Sequence, residues 1–495
     1  MNIKNAILAT IHAELRLIRV ETTPKLIVLL TFCALLYGLM SGIAFQECRN
    51  NRVTALKEST TGKFLEKRNA AQTIAEGKMV MPDKPYRDPG NTIFVARSTP
   101  EIADLPQTPL SFLAVGESDL YPAAIQVSAK SKDSFLFDEE INNPTHLLTG
   151  VFDSAFVLVY LLPLFILALT YNIISGEREQ GTLSLNAASP VPMRVIMSAK
   201  LLVRVAVPLL TAALTLSAAV LTRQPHSLGA AAILVVALLL YSLFWGAVAL
   251  AVNGFGLDST GNALVMSILW ISLVFIVPAI IDAVVELAHP APTRSAMVLA
   301  VRNSTIQVDT ELDAAQAQYQ LEHQGTGHTH GEYTTPHTHL DPSMVSGSNE
   351  NRNFRLLQSI KKAQAAGDAI YQEQQHTLEK RQNLANRLQI LSPVLVMQDI
   401  FAESAGNGSI RYKSFFSQVD RFHDTWRSFF VNLAEQGIRL DASAYDEFPK
   451  FHYNEDTINA TSGRIGAGIL TIAVYLLVAA LSVKLLLNRF QVVGR

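Results

Sequence analysis

Five histidines fall within seventeen residues of this 495-residue chain and suggest metal binding. They are His323, His328, His330, His337 and His339, in the stretch HQGTGHTHGEYTTPHTH. Imidazole is a common ligand of zinc, copper and nickel, and a loop rich in Gly and Thr could wrap around a divalent ion. Tracts of this kind are also common as solvated polar loops, and the repeated H-T-H spacing does not define a rigid zinc site. A divalent-metal site and a plain loop therefore both stay open.

The motifs of several enzyme classes are missing from the sequence. There is no phosphate-binding loop of the form GxxxxGK[ST], and the nearest fragment, TTGK at residues 60–63, lacks the upstream glycine. The patterns GxSxG, HExxH and CxxC are absent as well. We therefore expect no catalytic residue and no directly bound cofactor, so that any ATP hydrolysis must occur in a separate chain.

A charged segment with two glycines and two prolines lies between two apolar stretches. It covers residues 173–204 and reads IISGEREQGTLSLNAASPVPMRVIMSAKLLVR. A helix that ends near Ser175 could leave the membrane sharply at Gly176, because glycine adopts backbone angles that other residues avoid. A second short helix could open at Gly181 and stop at the prolines, which lack an amide donor. These residues are equally compatible with an ordinary charged loop.

The same segment resembles the loop of type-2 ABC transporter permeases, the exporter class that includes permeases linked to multicopper-enzyme maturation. The residues that match the family pattern are Gly176, Glu177, Arg178, Glu179, Gly181, Thr182, Leu183, Pro190 and Lys200. The resemblance implies that this loop docks into a groove of a separate ATPase subunit. The implied docking residues are Gly176, Glu177, Arg178, Glu179, Gly181, Thr182 and Leu183.

A second stretch, residues 391–430, is similar to a segment found in a subfamily of the same permeases. The matching residues are Ser392, Pro393, Gln398, Asp399, Ala405, Gly406, Asn407, Phe416, Val419, His423 and Trp426. Proline is well placed at the start of a helix. The stretch also carries an aromatic stripe of Phe415, Phe416, Phe422, Trp426, Phe429 and Phe430. We interpret this stripe as a domain core or a lid on the membrane rather than a ligand site.

The composition favours a membrane protein. Hydrophobic residues make up 49% of the chain and charged residues only 17%. The net charge of −2 offers no concentrated basic face, so a nucleic-acid partner is not expected. Six apolar stretches are long enough to cross about 30 Å of hydrocarbon. They are residues 25–45, 151–175, 201–221, 229–252, 262–285 and 465–487. The expected fold class is mainly α, a polytopic membrane protein with six transmembrane helices.

The remaining segments have distinct expected roles. Residues 1–24 predict an interfacial helix, because their apolar residues fall largely on one helical face. The regions 46–150 and 286–462 are long and polar, and we expect both to be extracytoplasmic, the second mostly helical. Within the second region, residues 303–323 and 349–391 predict two helices, either a hairpin that projects from the membrane or a plain helical domain.

The positive-inside rule predicts the orientation. Lys and Arg cluster in residues 1–24, in the coupling loop 176–200 and around the tail 488–495, whereas the short loop after the third span carries only Arg223. We therefore expect both termini in the cytoplasm and the protein in the bacterial inner (plasma) membrane.

The function expected from the resemblance is that of a permease subunit of an ATP-binding-cassette exporter. Two copies of an ATPase subunit with ATP and Mg would drive it, and a second copy of this chain or a sister permease would complete the membrane part, surrounded by lipid. One alternative is a mechanotransmitting or assembly platform that acts on a periplasmic partner without moving cargo across the membrane. A second alternative is a metal-binding membrane protein that uses the histidine-rich loop.

Overall fold

The protein is a mainly α polytopic membrane protein. A computed structural model describes residues 3–82, 87–130, 151–184, 192–290, 299, 302–303, 306–307, 310, 372–373, 375–455 and 458–489. This described part contains six helices that are long and apolar enough to cross a membrane.

In chain order, the helices are α1 (Ile3–Val20), α2 (Thr22–Ala75), α3 (Thr92–Ser98), α4 (Ser154–Glu179), α5 (Met193–Arg223), α6 (Leu228–Asn253), α7 (Ser259–Ala288), α8 (375–388), α9 (Pro393–Ser404), α10 (Ser409–Glu435), α11 (Ala442–Asp446) and α12 (Ile458–Arg489). The six spans are α2, α4, α5, α6, α7 and α12. Two short strands, β1 (Glu101–Asp104) and β2 (Ala124–Val127), pair antiparallel with Ile102 opposite Gln126.

The spans form one bundle around α4 and α6, which are the most enclosed of the six. The side chains of Tyr241 and Trp245 on α6 are fully buried. Gly246 lets α5 approach α6 closely, because a Cβ at this position would lie 2.8 Å from Val205 Cγ2. Small residues serve helix packing in membranes in this way, since lipid provides no hydrophobic drive for association.

Helix α2 is much longer than the predicted first span. It has 54 residues, which correspond to about 80 Å at 1.5 Å per residue. The apolar residues 25–45 lie in its first half, and the polar residues that follow simply continue the same helix out of the bundle. At Gly38, a Cβ would lie 2.7 Å from the carbonyl carbon of Asp153, so the glycine allows α2 to pass the start of α4.

Parts of the two long polar regions form a single unit, the polar domain, made of the described residues within 51–130 and 405–455. Its core combines Val95, Ala103, Ile125 and Val127 of the first region with Phe415, Trp426, Phe430, Tyr445 and Phe448 of the second. Trp426 Nε1 donates to the Ala96 carbonyl at 3.3 Å, and Tyr445 Oη donates to the Pro89 carbonyl at 2.7 Å. The aromatic stripe is therefore part of a domain core and not a lid on the membrane. This core joins residues of the first polar region to residues of the second.

Helices α8 and α9 form a hairpin, residues 375–404, whose tip enters the bundle. At the tip, Ser392 Oγ donates to the carbonyl of Leu273, which lies at the midpoint of α7, at 3.1 Å. Tyr475 Oη of α12 donates to the Ile390 carbonyl. The tip of the hairpin therefore lies about halfway along the spans.

The base of the hairpin is fixed at the end of the bundle that carries the polar domain. Arg381 of α8 pairs with Glu286 near the end of α7 at 2.6 Å, and Arg464 at the start of α12 pairs with Glu403 of α9 at 2.9 Å. Residues 375–391, which belong to the second of the two predicted helices, run back along the spans instead of projecting away from them. Most of the two predicted helices, 303–323 and 349–374, lies outside the described residues, so their pairing stays a prediction. The apolar face of α9 packs on α12 and explains the direction.

Candidate functional site

The segment that resembles a coupling loop lies at the end of the bundle opposite the polar domain, together with α1 and the turn 254–258. We call this the loop end. Ser175 and Gly176 are buried within the last helical turn of α4, which runs from Ser175 to Glu179. The sharp change of direction occurs at Gly181, which has a φ of +72°. The expected exit at Gly176 was thus wrong by about one turn. Of the short helix expected next, residues 183–184 are helical, and residues 185–191 lie outside the described part of the chain.

Glu177 lies in a partly buried network of two acids and two bases. Lys200 of α5 contacts the Glu177 carboxylate and also Glu14 Oε1 of α1, the latter at 3.3 Å. Arg204, one turn along α5, lies 3.3 Å from Glu14 Oε2, and the Thr182 hydroxyl donates to Glu177. Since each acid is matched by a base, this network joins α1, α4 and α5 without leaving an unpaired buried charge.

Glu14 is the member of this network that the sequence analysis missed. Residues 1–24 were predicted only to form an interfacial helix, with no role given to Glu14, yet Glu14 is only 1% exposed. Other faces of α1 carry exposed apolar side chains such as Leu8 and Leu17. The available signal was the pair Lys200 and Arg204, which stand four residues apart and so share one face of α5.

Arg178 and Glu179 attach α4 to the beginning of α7. Arg178 Nη1 donates to the Gly256 carbonyl at 2.5 Å, and Glu179 Oε1 accepts from the Ser259 amide at 2.8 Å. The hydroxyls of Ser175 and Ser259 are 2.8 Å apart. A carboxylate at a helix N-terminus satisfies free amides and matches the helix dipole, so Glu179 stabilises the start of α7.

Two buried asparagines secure the irregular turn at residues 171–174. Asn253 Oδ1 accepts from the Ile174 amide at 3.2 Å, while its Nδ2 donates to the Thr170 carbonyl at 3.1 Å. Asn262 Nδ2 donates to the Tyr171 carbonyl at 3.2 Å. Broken helices within membrane proteins need such partners for their free backbone groups. These amides were not anticipated, although two asparagines flanking a short turn between apolar stretches were a usable signal.

The expected docking residues therefore divide into two groups. Gly176 and Leu183 are buried, and Glu177 and Thr182 bond to each other. The residues that remain exposed, together with the adjacent turn, form the loop-end surface of Arg178, Glu179, Gly181, Phe255 and Leu257. Phe255 is 64% exposed, which makes it the most prominent apolar side chain of this surface.

The metal hypothesis concerns residues outside the described part of the chain. His323, His328, His330, His337 and His339 all lie there. Among the residues that the structure describes, no group of three or more His, Cys, Asp or Glu side chains is arranged to hold a metal ion.

Comparison with known proteins gives one match. The family described as a domain of unknown function (DUF3526) matches residues 351–454, about a fifth of the chain. The matched stretch contains the hairpin and the aromatic part of the polar domain, whereas the loop end lies outside it. Neither the curated proteins nor the solved structures contain a match.

Proposed function

We propose that this chain is the membrane-spanning permease subunit of an ATP-driven exporter, with a separate ATPase docked on the loop-end surface. The resemblance of residues 176–183 to permease coupling loops motivates the proposal. The observation that carries it is the double character of this segment: Glu177 bonds to α5 and Glu179 to the start of α7, while Arg178, Glu179 and Gly181 still expose part of their surface.

Such an arrangement is suited to transmit force. A load on the loop-end surface would reach α5 through the pair of Glu177 and Lys200, and α7 through Glu179 and the Ser259 amide. Three spans would then move with one short segment. Linkage between two binding sites is reciprocal. If ATP on the partner changes the conformation of the spans, then binding of cargo or of a partner at the polar domain must in turn change ATP turnover.

In this proposal the loop end faces the cytoplasm of a bacterial inner membrane. Two ATPase copies carry the ATP and Mg, and a second copy of this chain or a sister permease completes the assembly. The spans are largely apolar, which suits a hydrophobic or amphipathic cargo better than an ion pathway.

A second candidate function, mechanotransmission to an extracytoplasmic partner, is favoured by α2. This single 54-residue helix leads from the loop end into the polar domain, where Arg68 bonds to both carboxylate oxygens of Asp446 at 3.0 and 2.7 Å. A continuous helix can move the polar domain without any cargo passing between the spans.

The docking proposal is tested by replacing Phe255 with Ala. We expect the variant to lose its ATPase companion on gentle purification, because an exposed aromatic side chain is a typical anchor of a protein interface. The matched control is Phe32→Ala, since Phe32 is 45% exposed but lies in the membrane-spanning part of α2. Stoichiometric companions are identified by mass spectrometry, and ATP turnover is measured. Unchanged companions and turnover in Phe255→Ala would refute this docking surface.

A further inference from the structure

Two spans contain a π-helical turn, a feature that the docking proposal does not use. One covers Val157–Leu161 in α4 and the other Ser272–Ile276 in α7. A π turn interrupts the regular i→i−4 hydrogen bonds, and such turns recur at functional sites. Inside a bilayer, a main-chain carbonyl freed in this way needs a partner from a neighbouring element.

The π turn of α4 receives donors from two other spans. Tyr241 Oη of α6 donates to the Val159 carbonyl at 2.8 Å. Trp270 Nε1, which lies two residues before the π turn of α7, donates to the Tyr160 carbonyl at 3.2 Å. The π turn of α4 is thus bonded to α7 just before the π turn of that span.

The hairpin bonds to both π turns. At its tip, Ser392 Oγ donates to the Leu273 carbonyl within the π turn of α7 at 3.1 Å. Farther along α9, Gln398 Oε1 accepts from Tyr160 Oη, within the π turn of α4, at 2.9 Å. Helix α9 therefore contacts the only two spans in the described part of the chain that contain such turns.

The opposite end of α9 runs directly into the polar domain, at a corner that hydrogen bonds fix to the first polar region. Asn407, at the corner between α9 and α10, donates through Nδ2 to the carbonyls of Ser111 at 3.2 Å and Ala114 at 2.7 Å. Arg411 Nη2 donates to the Pro106 carbonyl at 2.7 Å. A displacement of the polar domain must therefore displace α9 as well.

We propose that the hairpin holds the two π turns in place and relays the position of the polar domain to α4 and α7, with Ser392, Gln398 and Tyr160 as positioning residues. The same two spans are joined at the loop end by Glu179 and the Ser259 amide. The relay therefore extends from the polar domain to the loop end. It concerns hydrogen bonds within one chain and holds whether or not an ATPase docks there.

The test is hydrogen–deuterium exchange of the full chain in lipid nanodiscs. Tyr160→Phe removes a single hydroxyl and keeps the ring, so it preserves the packing. We expect about tenfold faster exchange in residues 393–404, the effect of losing one hydrogen bond. Ser392→Ala should increase exchange in residues 272–276. Ser392 also accepts from the Leu395 amide at 3.4 Å and so caps α9, which means that its loss affects exchange within α9 directly. The peptide 272–276 is therefore the one that reports on the bond to the π turn.

The controls remove hydroxyls that bond only within their own helix. Ser267 Oγ donates to the Ala263 carbonyl in α7, and Thr471 Oγ1 donates to the Ala467 carbonyl in α12. Ser267→Ala and Thr471→Val should leave exchange in the hairpin unchanged. If Tyr160→Phe and Ser392→Ala change exchange no more than these controls, the hairpin does not position the π turns.

The relay also predicts an effect at the loop end. Residues 171–179 lie at the far end of α4 from Tyr160, and none of the hydrogen bonds removed here involves them. We expect Tyr160→Phe to increase exchange in 171–179 about threefold, in the range of coupling between distant sites. Unchanged exchange there overturns the relay. Since the nanodisc sample contains no ATPase, this result is independent of whether a companion protein is found.

Discussion

At the scale of single residues, the acidic side chains of the loop segment bond to other parts of this chain and thereby stabilise the fold. Glu177 contacts Lys200 and Thr182, and Glu179 caps α7. Replacing Glu177 by Lys would place a second ammonium group against Lys200. Such a charge-reversal variant would lose stability and docking together, so it cannot test docking. Phe255, whose side chain projects from the loop-end surface, separates the two effects.

The first prediction at this scale concerns the partly buried network. Glu177→Gln keeps the shape of the side chain and removes its charge, leaving Lys200 with Glu14 as its only acidic partner among the described contacts. We expect the free energy of unfolding to fall by about 2 kcal/mol, as for loss of a charged hydrogen bond. Thermal unfolding followed by tryptophan fluorescence measures the change.

Glu47→Gln is the control for this prediction. Glu47 lies 3.3 Å from Arg223, but its side chain is 64% exposed, and exposed pairs contribute at most about 1 kcal/mol. Equal effects of the two substitutions would show that the Glu177 network is no stronger than a surface pair.

At the scale of elements, the polar domain meets α9 through a crowded acidic contact. The short 3₁₀ turn Gly116–Asp119 packs on the corner after α9, where the Glu117 amide donates to the Asn407 carbonyl at 3.0 Å. Gly116 has a φ of +55°, and a Cβ there would lie 2.5 Å from that carbonyl oxygen, so glycine is required. The close approach holds Glu117 near Asp399 and Glu403.

This contact predicts a pH dependence of stability. Burial, and then the negative charges of Asp399, Glu403 and Asp119, raise the pKa of Glu117 from 4.5 to about 7. The folded state therefore binds the proton more tightly than the unfolded chain. The resulting stabilisation is complete below about pH 4.5 and is lost as the pH rises through about 7.

Glu117→Gln should flatten this dependence, because the glutamine is neutral at every pH. The midpoint of thermal unfolding is measured from pH 5 to pH 8, with Glu58→Gln, an exposed acid on α2, as control. A wild-type midpoint that falls with pH no more steeply than that of Glu117→Gln would contradict the assignment.

At the scale of the whole molecule, the polar domain is one unit that is attached to the bundle at several points. Helix α2 enters it from the loop end, and the hairpin connects it to α4 and α7. Motion at either end of the bundle therefore has two routes to the other, one through a straight helix and one through hydrogen bonds at the π turns.

Trp426 tests the unity of the polar domain. Its side chain is 1% exposed and touches residues of both regions. Trp426→Ala should destabilise the domain by about 3–5 kcal/mol, the usual effect of removing a buried aromatic side chain. Limited proteolysis should then cleave residues 51–130 and 405–455 at the same denaturant concentration.

Ile438→Ala is the matched control, since Ile438 lies in the same domain but is 42% exposed. If Trp426→Ala opens only residues 405–455 while 51–130 stay protected, the two regions are separate folding units after all.

Much of the membrane part could be read from the sequence. Five of the six predicted apolar stretches lie entirely within a helix of the structure, and the sixth, residues 151–175, begins three residues before α4. The agreement is expected, because about twenty consecutive apolar residues have no stable place outside a bilayer or a core. The stripe from Phe415 to Phe430 was recognisable as a core element for a similar reason. The histidine-rich stretch stays a prediction, as it lies outside the described residues.

Long-range contacts, by contrast, had to be seen in three dimensions. No local sequence pattern predicts that Trp426 contacts Ala96, 330 positions away, or that Glu14 pairs with Lys200 inside the protein. The apolar spacing within residues 349–391 suits a helix that projects from the membrane and one that returns into the bundle equally well, since it indicates only that one face of the helix is buried. Local propensity selects the helices, and the free energy of packing distant surfaces selects their partners.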